Sequence, residues 1–221
     1  AWLSRWILHP STYGARDFTL AERLLTEPRV LFDYIQWTLL PRLEVFGLYH
    51  DDYVVSHGWW SPPTTLFAVV GIVLLAGGAW WLRGRRPLAA LGLLWFLGAQ
   101  ALTATVIPLE LVYEHRNYFA SLGLCIALAD VLLLMPTQAA QVRIGALLAM
   151  LALSYYAVIT HARAREWSDP LGFAQIEAMK HPGSPRATYG YGRMGVIARD
   201  YRKDSNHLPP AIDALGHASR L

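Results

Sequence analysis

Four long apolar segments follow one another through the middle of the chain and constrain its fold more than any other feature. They cover residues 64–82, 88–107, 118–135 and 144–160. As a helix, the first would extend about 28 Å, which is close to the hydrocarbon thickness of a bilayer. One such segment can be a buried core helix, but four in series predict an all-α fold, that of a polytopic helical membrane protein.

The composition agrees with this prediction and excludes other classes. Hydrophobic residues make up 54% of the chain and charged residues only 16%, whereas ordinary soluble domains have roughly a quarter charged residues. The net charge of +3 and the absence of a basic run interleaved with aromatics argue against nucleic-acid binding. The single cysteine, Cys125, excludes an intramolecular disulfide and a cysteine-based zinc site.

The arginines of the short connections predict the orientation of the spans. Arg83, Arg85 and Arg86 follow the first apolar segment and Arg143 precedes the fourth, so both connections are assigned to the cytoplasmic side. The loop at residues 50–52, the stretch 114–117 and everything after residue 160 then face outward. Arg163 and Arg165 count against this assignment.

Residues 1–63 are predicted to form outward-facing interfacial helices and a loop. Thr19 with Glu22 has the spacing of a capping box, and Thr26 marks a second helix start with Pro28 in its first turn. The following apolar residues have helical periodicity as far as Pro41. This helix either packs on a core or lies in the interface plane, and the neighbouring spans favour the interface.

Residues 64–160 are predicted to hold the four spans, and residues 161–221 a separate helical segment. A helix is expected to begin at Asp169-Pro170, a second to run from Arg186 to about residue 201, and a third to open at Pro209. Their small and aromatic residues resemble the two helices of a tetratricopeptide repeat, with a longer turn between them. A single repeat cannot bury its apolar face, so the array is expected to continue past Leu221.

The stretch 112–121 is the main candidate for a binding site, because it sets charged and aromatic side chains between two apolar segments. Such a stretch belongs at a membrane–water interface. Arg116 can make a forked contact with a phosphate or carboxylate, and Glu114 and His115 can orient it or move a proton. The alternative is that Glu114 and Arg116 pair locally while the tyrosines, Tyr118 among them, anchor the helix ends.

Several other polar residues are weaker candidates for a functional role. The loop His50-Asp51-Asp52 with His57 has the chemistry of a metal or acid/base group, but a solvated loop is favoured. Asp130, an acid inside an apolar segment, is a functional candidate unless it simply reaches the interface. Gln100 and Thr103 are expected to bond between helices, and His161 and His181 are given no role. No metal site is predicted.

Three stretches carry a resemblance to a known family. Residues 113–123 resemble the glutamate–arginine–tyrosine–leucine–proline–serine–x–glycine signature of the transmembrane and tetratricopeptide-repeat O-mannosyltransferases and their bacterial relatives. In this chain His115 separates the acid from the arginine, and Ala120 stands where those proteins have proline. Residues 20–31 resemble the amphipathic segment before a span, and residues 166–187 resemble the junction into the repeats.

The resemblance implies a GT-C-type membrane glycosyltransferase of the bacterial inner membrane, multi-pass and with a periplasmic C-terminal segment. Such enzymes transfer a sugar from a polyprenyl-phosphate carrier to a protein hydroxyl on the outer face, and no cofactor is implied. Arg116, helped by Glu114, His115 and Tyr118, would contact the phosphate of the carrier. The repeats would bind the acceptor or a partner protein. The catalytic acid is expected in a loop before Ala1, so this chain is interpreted as a fragment with no assigned catalytic residue.

Two other functions stay open. The chain could be a non-catalytic membrane-anchored scaffold whose repeats assemble envelope proteins, or an O-antigen ligase or polymerase. Paired acids in an outward loop upstream of Ala1 would favour the transferase over the scaffold. A ligase would be expected to have a large outward loop rich in arginine and histidine, and no repeats.

Overall fold

The structure is a computed structural model, and it describes residues 13–14, 16–133, 139–202 and 208–221. Within these ranges the chain is helical and has no β-strand, so the all-α prediction is confirmed. The helices are α1 (Leu20–Leu39), α2 (Thr64–Leu82), α3 (Pro87–Thr103), α4 (Glu114–Leu133), α5 (Ala139–Glu166), α6 (Pro170–Lys180), α7 (Pro185–Arg202) and α8 (Leu208–Ala218). A short 3-10 helix, Leu43–Val45, lies between α1 and α2.

The chain divides into two compact units. The first holds the residues up to Leu40, then Val54–Leu111 and His115–Ser154. The second holds Pro41–Tyr53, Val112–Glu114 and Tyr155–Leu221. The second unit therefore combines a loop, the start of α4 and the helices at the C-terminal end of the chain.

Helix α1 begins with the predicted capping box, in which the Thr19 side chain and the Glu22 side chain each accept from the other residue's backbone N–H. The prediction of a second start at Thr26 is wrong, because α1 continues through Pro28. The Thr26 hydroxyl donates to the Glu22 carbonyl within the same helix. Buried residues of α1 lie on both sides of Pro28 and pack within the first unit. The stabilisation from this packing exceeds the loss of the one backbone hydrogen bond that proline removes. The helix ends at Leu39, before Pro41, as expected.

Two helices are long and apolar enough to cross a membrane by length and composition. They are Thr64–Leu82, and Val142–Glu166 within α5. Only 17% and 6% of their most apolar stretches are buried, so neither resembles the enclosed core helix of a water-soluble domain. Helix α3 is shorter than the predicted segment because the chain leaves helical geometry after Thr103. Helix α4 begins at Glu114 and therefore includes the charged stretch. That α3 and α4 also span a membrane stays a prediction.

Helices α3 and α4 are in backbone contact at two glycines. A Cβ atom on Gly92 would clash with the backbone oxygen of Gly123, and one on Gly123 would clash with that of Gly92. Nearby, the Gln100 side-chain amide donates to Asn117 Oδ1 at 3.2 Å, and Asn117 donates to the Thr38 hydroxyl at 2.9 Å. The predicted interhelical bonding of Gln100 is confirmed, whereas Thr103 bonds to Gln100 in its own helix.

In the second unit, α6 begins where the sequence predicts. Asp169 is its N-cap, accepting from the Leu171 N–H, and Pro170 is the first helical residue. Helix α7 begins one residue before its predicted start, with the Ser184 hydroxyl accepting from the Ala187 N–H at 3.0 Å. Helix α7 packs against both α6 and α8. The likeness to a tetratricopeptide repeat stays a prediction.

Candidate functional site

Residues 104–111, the part of the segment between α3 and α4 that belongs to the first unit, bind a set of charged side chains. The last carbonyls of a helix have no intrahelical hydrogen-bond partners, and an irregular segment has no regular backbone hydrogen bonds of its own. These carbonyls must therefore be satisfied by other donors wherever water is excluded. Arginine side chains supply most of those donors here.

Arg23 is the central donor. Its side chain is fully buried, and it donates to the carbonyls of Thr103 at 2.5 Å, Thr105 at 2.8 Å and Leu109 at 2.6 Å. The guanidinium fork carries five N–H groups in one plane, which lets a single side chain bond three carbonyls. Its Nη2 also lies 2.5 Å from the Glu27 carboxyl oxygen Oε1, one turn further along α1.

Two further arginines and a tyrosine bind the same segment. Arg16 donates to the Pro108 carbonyl at 3.1 Å and lies 3.9 Å from the Glu110 carboxylate. Arg116, in the first turn of α4, donates to the Glu110 carbonyl at 2.5 Å. The Tyr13 hydroxyl donates to the Val106 carbonyl at 2.8 Å. We call Arg16, Arg23 and Arg116 the arginine cluster.

Burial and neighbouring charges shift the pKa values of Arg23 and Glu27. Burial lowers the pKa of Arg23, and Arg116 and Arg16 lower it further, whereas Glu27 and Tyr13 act in the opposite direction. Burial raises the pKa of Glu27 to about 8, even though Arg23 and Arg116 oppose that rise. At neutral pH Glu27 is therefore mostly protonated.

The protonation of Glu27 leaves the cluster cationic. Arg16, Arg23 and Arg116 bring three guanidinium groups to this segment, and the Glu110 carboxylate lies 3.9 Å from Arg16. The N-terminus of α4 adds partial positive charge at Arg116. Such a site favours an anion, and planar guanidinium groups match the oxygens of a phosphate or carboxylate.

The structure distributes the four predicted site residues over different surroundings. Arg116 joins the cluster, but Glu114 accepts from the Gly47 N–H at 2.6 Å and lies 3.2 Å from His50 Nε2 in the second unit. The acid thus pairs with His50, in place of the local Glu114–Arg116 pair considered above. His115 is exposed, and Tyr118 is 85% exposed. Residues one or two apart on a helix do not share a face, so the turn separates Arg116 from its sequence neighbours.

Asp51 and Asp52 of the loop at residues 50–52 are exposed, as the favoured interpretation of a solvated loop expects, and their side chains also have specific partners. His181 Nδ1 lies 3.0 Å from Asp52, and the Ser184 hydroxyl donates to Asp51 at 2.5 Å. The rings of His50 and His181 meet edge to face with centroids 4.6 Å apart. His57 lies 2.6 Å from Glu22 in the first unit. No group of three metal-ligating side chains forms among the residues that the structure describes.

Asp130, the acid of the third apolar segment, has a structural partner. Its carboxylate lies 3.0 Å from Arg86 Nη2, and the same guanidinium donates to the Asp130 carbonyl at 2.7 Å. The side chain of Asp130 is 7% exposed. This ion pair accounts for an acid at that position without a catalytic role.

Arg16, Arg23 and Glu27 were missed by sequence reasoning. A signal was present for two of them, because Arg23 and Glu27 fall at helical spacing on the same stripe as Val30, Leu31 and Tyr34. An arginine and a glutamate one turn apart on an apolar stripe indicate that the two side chains are buried together. Their carbonyl partners lie about eighty positions further along the chain, at separations of 80–86 residues, and no local pattern predicts them.

Comparisons of the chain with protein-family models, with curated proteins and with solved structures found no match.

Proposed function

We propose that this chain is part of a GT-C-type membrane glycosyltransferase, similar to the O-mannosyltransferases, that transfers a sugar from a polyprenyl-phosphate carrier to a protein hydroxyl. The observation that carries the proposal is the convergence of Arg16, Arg23 and Arg116 on the segment that precedes α4. The signature-like stretch, residues 113–123, begins at the same point of the chain.

Two apolar helices support membrane insertion. Phe67, Leu74, Leu153 and Val158 are each exposed over about two thirds of their surface or more. Leaving such apolar area in water is unfavourable by roughly 25 cal/mol per Å², and a bilayer would remove it from water. On this proposal α3 and α4 are further spans, the chain lies in the bacterial inner membrane, and its C-terminal segment is periplasmic.

The arginine cluster would act on the leaving group of the transfer. In the reaction the bond between the anomeric carbon and a phosphate oxygen breaks, and the acceptor hydroxyl oxygen forms the new bond to that carbon. The carrier phosphate leaves with additional negative charge, which fixed guanidinium groups stabilise. The hydroxyl proton goes to a general base, a role to which the resemblance assigns no described residue. Glu114, His115 and Tyr118 stay predicted contacts of the donor.

On this proposal the arginines of the cluster have different roles, because their side chains differ in exposure. Arg23 is fully buried and held by three carbonyls, so it supplies charge from a fixed position. Arg116 and Arg16 are partly exposed and can approach a phosphate directly. A lysine at position 116 would keep the charge but lose the planar fork that matches two phosphate oxygens.

The proposal is tested by following sugar transfer in membranes that contain the full-length protein and a labelled polyprenyl-phosphate sugar. Arg116→Ala and Arg116→Lys are expected to reduce labelling of protein roughly a hundredfold, because both remove the planar guanidinium fork from the leaving group. Their amounts in the membrane should equal wild type. Arg85→Lys, at an exposed arginine on the connection between α2 and α3, is the matched control and should transfer normally.

Two results would contradict the proposal. Full activity of Arg116→Lys would rule out a forked phosphate contact at this residue. Absence of labelling with every donor, from a folded and inserted protein, would overturn the transferase and favour the membrane-anchored scaffold.

A further inference from the structure

A histidine and a glutamate outside the arginine cluster form a hydrogen-bonded pair in the first unit. His57 Nδ1 lies 2.6 Å from Glu22 Oε1, and the His57 side chain is 65% exposed. Among the described residues, Glu22 is the one charged group that contacts this ring, and none bonds to its second nitrogen, Nε2. A carboxylate at one imidazole nitrogen, with the other nitrogen accessible, is the arrangement in which a histidine accepts a proton from a substrate.

The Glu22 carboxylate is fixed in place by several donors. Its Oε2 accepts from the Thr19 N–H at 2.8 Å and from the Thr19 hydroxyl at 2.9 Å. The bond from the Thr19 backbone, followed by the bond from His57, lowers the pKa of Glu22. An ionised carboxylate only accepts hydrogen bonds, so the proton of neutral His57 lies on Nδ1 and Nε2 keeps its lone pair.

The backbone on both sides of His57 is also held. Ser56 is fully buried, and its N–H donates to the Thr26 hydroxyl of α1 at 2.8 Å. The His57 N–H donates to the Ser61 carbonyl at 2.9 Å and closes a short turn. The imidazole is therefore positioned by packed backbone, while its Nε2 side is open to a ligand.

The pair lies beside the arginine cluster. Glu22 and Arg23 are consecutive residues of α1, with Cα atoms about 3.8 Å apart. The turn after His57 carries Trp59 and Trp60, which are 53% and 68% exposed. Exposed tryptophans are typical of the membrane–water interface, which is the level of a lipid-carrier phosphate. The histidine and the arginines are thus placed to act on the same donor.

We propose that His57 is the general base of the sugar transfer and that Glu22 is its positioning residue. This inference rests on the proposed function. His57 Nε2 takes the proton of the acceptor hydroxyl while the hydroxyl oxygen bonds to the anomeric carbon. The bond from that carbon to the carrier phosphate breaks, and the phosphate leaves with its electron pair. Glu22 stabilises the imidazolium, which then releases its proton to water.

The test measures sugar transfer against pH, in membranes that contain the full-length protein and a labelled polyprenyl-phosphate sugar. His57→Gln should reduce transfer roughly a hundredfold, the usual contribution of a general base. Wild-type transfer should fall at acidic pH, where imidazole is protonated, and the residual transfer of His57→Gln should lack this fall. His217→Gln, at an exposed histidine of α8, is the control and should transfer normally.

Glu22→Gln tests the positioning role. Glutamine also serves in a capping box, so α1 keeps its N-terminal cap while the carboxylate is lost. Transfer should fall roughly tenfold, with the acidic fall retained. Binding of polyprenyl phosphate in detergent should be unchanged in both variants, because neither side chain contacts the phosphate.

A further measurement needs no sugar transfer. Nitrogen-15 NMR of histidine-labelled protein at alkaline pH should show the His57 proton on Nδ1, with the signal assigned by its absence from His57→Gln. A proton on Nε2 would overturn the inference, as would unchanged transfer by His57→Gln or an acidic fall equal to that of wild type. Those results leave the transferase intact. Absence of transfer by wild type with every donor would instead overturn the proposed function, and the role of His57 with it.

Discussion

Glu27 illustrates how one buried residue sets the charge of the arginine cluster. It lies one turn from Arg23 on the buried face of α1, and burial raises its pKa to about 8. Protonation at neutral pH removes a negative charge that acts on Arg23 and Arg116. The cluster then keeps the excess positive charge that an anionic ligand requires.

The raised pKa of Glu27 predicts a pH dependence of stability. Its folded pKa lies above the ordinary value of 4.5, so the folded state binds more protons than the unfolded state between these values. This contribution to stability is fully present below pH 4.5 and is lost as the pH rises to about 8. The Tm of wild type should therefore fall more steeply between pH 5 and pH 9 than that of Glu27→Gln, which cannot ionise.

The control for this experiment is Glu44→Gln, at an exposed acid. It should keep the steep pH dependence of wild type. If Glu27→Gln showed the same dependence of Tm on pH as wild type, the protonation of Glu27 in the folded protein would be contradicted.

At the level of helices, α3 and α4 pack through glycine because backbone contact leaves no room for a side chain. The backbone of each helix occupies the site where a Cβ of Gly92 or Gly123 would lie. Small residues allow this approach between apolar helices, and polar bonds such as that from Gln100 to Asn117 then hold the register. The arginine cluster binds the segment that joins these two helices.

Adding one methyl group at the α3–α4 contact should destabilise the protein. Gly92→Ala is expected to reduce the free energy of unfolding by about 1–3 kcal/mol through overpacking. Gly98→Ala is the matched control in the same helix, because nothing lies within 4 Å of its added Cβ. The control should be neutral or more stable by about 0.5–1 kcal/mol, since alanine is the better helix former. Thermal unfolding in detergent distinguishes them, and equal stability of the two variants would contradict the close contact.

The sequence predicted local features of these elements well. The capping box at Thr19 and the helix start at Asp169-Pro170 depend on neighbouring residues, and both appear as expected. The continuation of α1 through Pro28 depends on tertiary packing, which outweighs a local breaker. Of the site, only Arg116 was predicted and then found in the cluster. The partners of Arg23 and Glu114 come from distant parts of the chain, and no spacing in the sequence encodes them.

At the scale of the whole molecule, the proposal requires a membrane around the apolar helices. Arg83 and Arg85 stack on Trp80 and Trp81 at the end of α2, with guanidinium carbons 3.9 Å and 4.0 Å from the indole centroids. Exposed tryptophan and arginine at the end of an apolar helix are typical of a membrane interface. The proposal places this end on the cytoplasmic side, because it carries the excess of arginine.

Sidedness can be measured with single cysteines in a Cys125→Ser background. On the proposed orientation, a membrane-impermeant maleimide should label His217→Cys in intact spheroplasts. It should label Arg85→Cys only after permeabilisation. Labelling of both sites, or of neither, in intact spheroplasts that are shown to exclude the reagent would contradict the proposed topology.

The most direct test of the account is the binding of polyprenyl phosphate to the purified protein in neutral detergent. Wild type, Arg116→Lys and the control Arg85→Lys would be compared by titration at one ionic strength. Arg116→Lys should bind roughly tenfold more weakly than wild type while the control is unchanged, because the forked contact is lost at constant charge. Equal binding by all three proteins would contradict an arginine cluster built for the phosphate of a lipid carrier.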